Sequence, residues 1–499
     1  MPKKHTIKIN LPGGIVAAGD LYSLALAAEK AGIENLQPGN RQQLYCKVDS
    51  LKLEEFSGEL NRLSLFYETD RDDYPNIVSS YVAEDVFQNA HWLGESLYKD
   101  ILSSFDYRPR MKISLVDAHQ AFIPFYTGHI NFISSPMPNY WYLYFRFPKT
   151  GNIFCWKGLI YSGDIARIGR LIENKFFSNR QLFYTNLPVG GELLYNMVHS
   201  ATQFITQPVG EGLQLPAFAL PYYEGFNRYG DKNWLGIYRR DELFPVPFLK
   251  EVAKRCLQTK TGQLYTTPWK SLIIKNIVSA DRETWEYILG KYRINVHHAA
   301  NELNWQVEDL NEEGLNLKRY LIRQFDKDDV RTYGLCFAIK TKPQSGLFGA
   351  VIIRKQNNES RNQLKALDRY DILYTKDFNP NTREYVLFRK SVKKENLGTY
   401  LISLCKYFYE LQSKDSKLIH NVYRQEEEEP AKETTLIETK PLYQCPHCLT
   451  VYDGQYGDET NNIAAGTTFE ELPAGYCCAT CDAEKSEFVL KNDIAPVYT

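Results

Sequence analysis

Cys445-Pro446-His447-Cys448 and, after twenty-nine intervening residues, Cys478-Ala479-Thr480-Cys481 form two thiol pairs at C-x-x-C spacing. Such a pair makes a tight knuckle that aims both sulfurs and several backbone N–H groups at one point, so two knuckles close a tetrahedron of four thiolates around one metal ion. Iron and zinc both accept that shell. Five of the chain's ten cysteines fall in this segment (Cys445, Cys448, Cys477, Cys478 and Cys481); Cys46, Cys155, Cys256, Cys336 and Cys405 are scattered without short spacing. Those five are expected to be buried small hydrophobes, because a large chain outside an oxidising compartment has no need of disulfides.

The filling between the knuckles separates the two metals. It holds Val451-Tyr452-Asp453, Gly457-Asp458 and Gly466-Thr467-Thr468-Phe469-Glu470-Glu471-Leu472-Pro473, with Tyr476 before the second pair and Phe488 after it. Residues 443 to 488 thereby resemble a rubredoxin, the one-iron electron carrier. The resemblance implies that Cys445, Cys448, Cys478 and Cys481 hold one iron, which carries one electron at a time. It also implies that Tyr443, Tyr452, Phe469, Tyr476 and Phe488 pack a small core over the metal. The segment departs from the family pattern at Leu449 and Asp482, where the turn after each knuckle favours glycine. Asp tolerates a left-handed backbone better than Leu does. Tyr476 and Ala479 replace the family's usual Trp and Pro, and Cys477 adds a thiol beside the site. A zinc-stabilised interaction module is the non-redox alternative.

The 499 residues are enough for two to four domains. No apolar run approaches the length of a membrane helix, and the N-terminus leads into an alternating strand instead of an apolar leader, so a cytoplasmic protein with no membrane association is expected. The net charge of -1 conceals an asymmetry: residues 425 to 499 hold 15 acidic and 4 basic side chains, leaving 45 acidic and 55 basic before them. A basic body and an acidic tail attract, which suits docking of the metal module or of a partner. The basic residues are spread along the chain without a cluster, so no nucleic-acid partner is expected.

Upstream of the cysteines a unit recurs. Lys8 to Leu11 alternates, Pro12-Gly13-Gly14 turns, a helix capped by Asp20 runs from Leu21 to Ala31, and a strand returns over Asn40–Val48. About 225 residues later comes the same order: a strand at Trp234–Tyr238, a helix from Pro247 to Cys256, a turn at Gly262 and a strand over Gln263–Ile274. Between and after the copies lie helical patterns at Asp85–Ser104, Arg282–Tyr292 and Leu397–Gln412. Strands are expected at Arg110–Val116, Asn139–Phe147, Leu335–Lys340 and Gly349–Arg354. Residues 413 to 440 lose apolar content and read as an acidic linker.

The duplicated layout resembles the siroheme-dependent nitrite and sulfite reductases on three segments. Asn40-Arg41-Gln42-Gln43-Leu44 looks like the family's haem-facing Thr-Thr-Arg-Gln strand, Arg110-Met111-Lys112 like its anion-holding Lys-Phe-Lys segment, and Thr267-Pro268-Trp269-Lys270 like the matching strand of the second half. The implied fold is α+β: a ferredoxin-like half-domain (1–70), a reductase-like domain (71–200), a second half-domain (201–278), a second, degenerate reductase-like domain (279–415), a linker (416–440) and a rubredoxin domain (441–492). Arg41, Arg110, Lys112 and Lys270 are the candidate cofactor-binding residues. The C-x5-C and C-x3-C pairs that hold the family's four-iron cluster are absent, since Cys256, Cys336 and Cys405 are solitary. The body is therefore expected not to be a complete reductase, and siroheme is not expected as a resident group, although a siroheme- or tetrapyrrole-binding oxidoreductase fed by its own rubredoxin is the alternative. His129 and His297-His298 have no Cys, Asp or Glu at ligand spacing and read as structural, and no catalytic residue is assigned. The resulting expectation is a rubredoxin-type electron carrier whose body docks it to a redox protein partner, a reductant or an assimilatory nitrite or sulfite reductase.

Overall fold

The structure, a computed structural model, describes residues 3–87, 92–185, 190–296, 301–343, 345–356, 368–425, 442–447, 450–454 and 456–490. The chain divides into two compact units, Met1–Ser413 and Lys414–Thr499. Among the described residues no helix is long and apolar enough to cross a membrane.

The larger unit is α+β and carries its duplication in the sheets. In the first copy Lys4–Ile9 lies between Leu44–Asp49 and Tyr67–Thr69, with Asn35–Pro38 beyond, all antiparallel. In the second, Leu272–Ile277 lies between Lys232–Ile237 and Gln263–Thr266. The copies exchange edges: Ile15–Ala17 joins the second sheet beside Gln263–Thr266, while Phe244–Pro245 joins the first beside Asn35–Pro38. Helices Ala18–Lys30 and Val246–Gln258 pack on each other. Leu21, Leu24, Ala28, Leu249, Val252 and Ala253 recur at helical spacing and share one core with both sheets. Gly14, at φ 73°, seats the first copy's turn on the second copy's strand; a Cβ there would meet the Thr266 carbonyl oxygen at 2.6 Å.

Two further sheets repeat one pattern. In the first, Val78–Ser79, Ile113–Val116 and Ile130–Ser134 are parallel neighbours, followed by antiparallel Tyr140–Arg146 and Gly158–Tyr161. In the second, Trp305–Val307, Phe337–Lys340 and Val351–Lys355 are parallel, followed by antiparallel Arg369–Thr375 and Tyr385–Lys393. One apolar core runs through both.

Four expectations are corrected. The strand expected over Gln263–Ile274 is a hairpin of Gln263–Thr266 and Leu272–Ile277. Pro268 cannot donate to a ladder, and Lys270 adopts φ 57° in the turn. The helical pattern at Asp85–Ser104 narrows to Glu95–Ser103, with Asp85 at φ 63° breaking it upstream. The last body helix spans Lys394–Gln425 and so takes up the start of the stretch read as linker, which has no Gly or Pro before Pro430 to stop it. Asp20 also lies inside its helix, which begins at Ala18, instead of capping it.

In the smaller unit Tyr443–Gln444 pairs antiparallel with Val451–Tyr452 and with Val489–Leu490. Tyr452, Leu472 and Tyr476 form its core with Ile463, Phe469 and Phe488 against them. Tyr443 stacks on Phe469 with ring centroids 3.8 Å apart.

Candidate functional site

The metal centre forms where the two knuckles meet. The Sγ atoms of Cys445, Cys478 and Cys481 lie within 4.8 Å of one another, and Cys445 Sγ is 3.6 Å from Cys481 Sγ. A tetrahedral iron or zinc thiolate with bonds of about 2.3 Å has sulfurs about 3.8 Å apart, so the three positions fit one ion. Cys448 and Leu449 lie outside the described residues. The second knuckle is closed by Cys478 N–H donating to the Ala483 carbonyl (2.8 Å) and Asp482 N–H to the Cys478 carbonyl (3.0 Å). Asp482 takes φ 57°, the left-handed turn expected there. The first is tied by Cys445 N–H to the Thr450 carbonyl at 2.9 Å, and Thr450 Oγ1 meets Thr480 Oγ1 at 3.0 Å, linking the two knuckles.

The surrounding polar groups hold the loop between the knuckles. Tyr476 donates its hydroxyl to Asp458 (2.8 Å), which also accepts the Thr460 and Asn461 backbone N–H groups. Asn461 Nδ2 then reaches the carbonyl of Cys477 at 3.0 Å. Tyr476 thus does from a phenol what an indole N–H would do at that position: it packs its ring and spends its polar end.

Of the four body cations expected to bind a cofactor, Arg41 and Lys112 line one cavity, Arg110 lines another and Lys270 lines neither. Arg41 is half-buried and spent on carbonyls: Nε and Nη2 donate to Asn76 O at 3.0 and 2.8 Å, and Nη2 also to Ile113 O at 2.7 Å. Burial pulls this guanidinium down to about 10, with Asp72 and Asp309 opposing. Lys270 is buried against Glu242 at 2.7 Å, with Asp309 3.6 Å away. Arg110 lies over the Phe177 ring at 4.6 Å and lines a different cavity, of about 960 Å³. Lys112 lines the cavity of about 630 Å³ that Arg41 also lines, and among the described residues its ammonium group has no ion-pair or hydrogen-bond partner. Burial, then Arg41 and Arg146, lower it to about 8.

The wall of that cavity is knitted directly. Asp309 accepts the Asn40 N–H (2.9 Å) and Gln43 Nε2 (3.0 Å), and Asn40 Nδ2 donates to Val307 O (2.7 Å). The Asn40–Gln43 stretch, expected as strand, is a turn with Gln42 at φ 64° whose side chains reach the Ile113 and Val307 carbonyls of the two further sheets.

The lining does not select the siroheme that the sequence resemblance implies: Asp70, Asp72, Glu308 and Asp309 line the cavity beside Lys8, Arg41, Arg71, Lys112 and Lys342, and Lys8 and Arg41 are engaged internally. Cys256, Cys336 and Cys405 are buried apart from one another, and among the described residues the one Cys group at metal spacing is that of the module. Cys155, expected to be buried, is exposed. His129 is structural as expected: its Nδ1 accepts the Lys112 N–H (3.3 Å), and burial, Arg146 and Lys112 hold it neutral. His297 and His298 lie outside the described residues.

Sequence reading missed a second set of body cations, Arg146, Lys340 and Arg383. Arg146 and Lys340 close their strands, so alternation marks them only as strand ends. Arg383 lies at φ 58°, in a turn that Asn379-Pro380-Asn381 marks without assigning a role to the arginine.

The described geometry defines a small module with a cysteine metal site and a separate α+β body. A rubredoxin family profile matches residues 442–488. The rubredoxin of Megasphaera elsdenii is 49% identical over 47 residues, 9% of this chain and 88% of that protein. Rubredoxin-2 of Alcanivorax borkumensis is 42% identical over 62 residues, 12% of this chain, and the match spans about a third (33%) of that relative. The chain belongs to the rubredoxin family through this segment. The body is similar in fold to the Mycobacterium tuberculosis NirA protein, with TM-score 0.62 and 13% identity over 80% of each chain. The likeness is one of fold.

Proposed function

We propose that the chain is a cytoplasmic one-electron carrier in which a reductase-like body delivers the Cys445, Cys448, Cys478 and Cys481 centre to a redox protein in assimilatory nitrite or sulfite reduction. The observation that carries this reading is the convergence of three thiol sulfurs on one tetrahedral site, inside a segment of the rubredoxin family. Bound there, iron supplies a ferric–ferrous couple. The protein holds that ion in a shell fixed by short knuckles, inter-knuckle hydrogen bonds and a stacked aromatic core, so little reorganisation accompanies each transfer. The body is read as two half-domains (1–70 and 201–278) alternating with two reductase-like domains (71–200 and 279–415). It contributes recognition: among the described residues the body holds no group of cysteines that could ligate a cluster.

Absorption of the full chain as purified tests the reading. Iron–thiolate bands that bleach on one-electron reduction, with no Soret-type band, are expected. Affinity capture from cells is expected to recover a redox protein. A Soret band would shift the reading to a tetrapyrrole oxidoreductase. Zinc without iron in protein made under iron-replete conditions would replace it by an interaction module.

A further inference from the structure

Lys112 stands in the wall of the cavity of about 630 Å³ with its backbone fixed and its amine uncommitted. Its N–H meets His129 Nδ1 at 3.3 Å, and its carbonyl accepts the His129 and Ile130 N–H groups at 2.6 and 3.0 Å. The half-buried side chain finds no ion-pair or hydrogen-bond partner for Nζ among the described residues. Gly346 lines the same cavity, and a Cβ there would lie 3.7 Å from Lys112 Nζ, so glycine leaves the amine open on that side. Burial, then Arg41 and Arg146, pull the amine down to about 8 against the opposing pull of Asp72 and Asp309. About a tenth of it is then unprotonated at pH 7, against less than about a thousandth for an ordinary lysine.

The rest of the wall is rich in acceptors. Asn76 and Gln306 are 3% and 1% exposed. Asn76 commits Nδ2 to the Leu11 and Arg41 carbonyls at 2.6 and 2.8 Å, and Gln306 commits Nε2 to the Pro268 carbonyl at 3.2 Å. Each amide thereby keeps an oxygen with no donor, and Asn40 Oδ1 and Ser345 Oγ in the same lining are also without a partner. Buried oxygens left in this way are costly. With Asp70, Asp72, Glu308 and Asp309 beside them, they favour a ligand that brings N–H or O–H groups over one that brings a negative charge.

An enclosed, unpaired lysine of lowered basicity is the side chain that condenses with carbonyl compounds. We propose that Lys112 captures a small uncharged aldehyde in this cavity as an imine. The free amine adds to the aldehyde carbon and forms the C–N bond. The carbonyl oxygen takes both nitrogen protons and leaves as water, the C=N bond remains, and one proton returns to the imine nitrogen, so nothing is oxidised or reduced. The iminium carries the same single charge as the ammonium it replaces, and the orphaned oxygens can accept from the departing water. The site is independent of the electron-carrier reading and stands whether or not the module carries iron.

The test treats the full chain with limiting pyridoxal in an amine-free buffer, reduces the adduct with borohydride and locates it by peptide mass mapping. About one pyridoxyl group per chain is expected, on Lys112, formed roughly tenfold or more faster than on the exposed Lys342 of the same cavity. Lys275 separates the cavity from low basicity alone: burial also brings it down to about 8, but it is 5% exposed and donates to the Tyr81 and Glu84 carbonyls at 3.2 and 2.6 Å, so it stays unlabelled. Lys112→Arg keeps the charge and is expected to lose the adduct, with far-ultraviolet circular dichroism confirming the fold. Because the position of the label is read on the parent chain, the outcome does not depend on that variant folding. Label spread over the exposed lysines without preference for Lys112 overturns the proposal, as does labelling of Lys112 by pyridoxal 5′-phosphate but not by pyridoxal, which would mean that the cavity selects the anion.

Discussion

The module and the body each gather groups of one charge, and they do so in opposite ways. In the module, thiols from two four-residue knuckles meet with Sγ atoms within 4.8 Å, a spacing that one cation neutralises. In the body, Arg146 and Arg383, more than two hundred residues apart, both donate to carbonyls of the loop at 126–128, and neither forms an ion pair among the described residues. A local site is specified by spacing and survives transplantation; a distributed site is specified by the whole fold. The module's charge problem is solved by a metal, and part of the body's is solved internally, at Arg41 and Lys270.

The largest effect expected is on the module. Cys478→Ser removes one thiolate of the tetrahedron, so metal content and the iron–thiolate bands should fall to near background, while the body's unfolding midpoint is unchanged. If the body also unfolds, the two units are coupled and the contrast is wrong. Next comes Arg41→Leu, which leaves three buried carbonyl contacts unpaired at the domain junction. A loss of about 3–5 kcal/mol of body stability is expected from denaturant unfolding. Asp309→Asn keeps the shape of the same joint and weakens its charge-assisted bonds, with about 1–2 kcal/mol expected. If either variant is neutral, the junction is a ligand seat and not a joint.

This ordering also explains what the sequence could disclose. The four cysteines and the aromatic positions were legible because their partners lie within one short segment and spacing is geometry there. The duplicated body was legible from Pro12-Gly13-Gly14 and its echo around Gly262, where turn chemistry repeats. Arg41 was legible as a special residue but not as a consumed one: its acceptors, Asn76 and Ile113, are 35 and 72 residues away, and only the fold brings their carbonyls to it. The role of Arg383 was invisible for the same reason, and Lys270 was misread as strand because its turn depends on a pairing with Leu272–Ile277 that the run of apolar residues does not mark.

Lys340 gives the unpaired side of the comparison a pH signature. Its folded value of about 8 lies below the ordinary lysine value of 10.5. The unfolded chain therefore holds more protons between about pH 8 and 10.5, and stability rises with pH across that window as the folded ammonium is relieved of its charge. Replacing Lys340 by Met should raise the unfolding midpoint at pH 7, with the gain shrinking toward pH 10. A gain that is constant with pH would mean that the charge is compensated in the native state.

The smallest expected effect lies at the knuckle itself. Asp482 holds φ 57° beside a metal-ligating cysteine, a conformation that glycine adopts freely and Asp at modest cost. Asp482→Gly should therefore stabilise the module by up to about 1 kcal/mol, and Asp482→Val should destabilise it by a comparable amount. Loss of metal on heating, followed by the iron–thiolate bands, reads both. The Cys478 N–H bond to Ala483 and the Asp482 N–H bond to Cys478 are backbone contacts that either substitution leaves in place, so the difference isolates the turn. If Asp482→Gly shifts the reduction potential without changing metal retention, the Asp side chain acts on the thiolates electrostatically, and the local site is less self-contained than its geometry makes it.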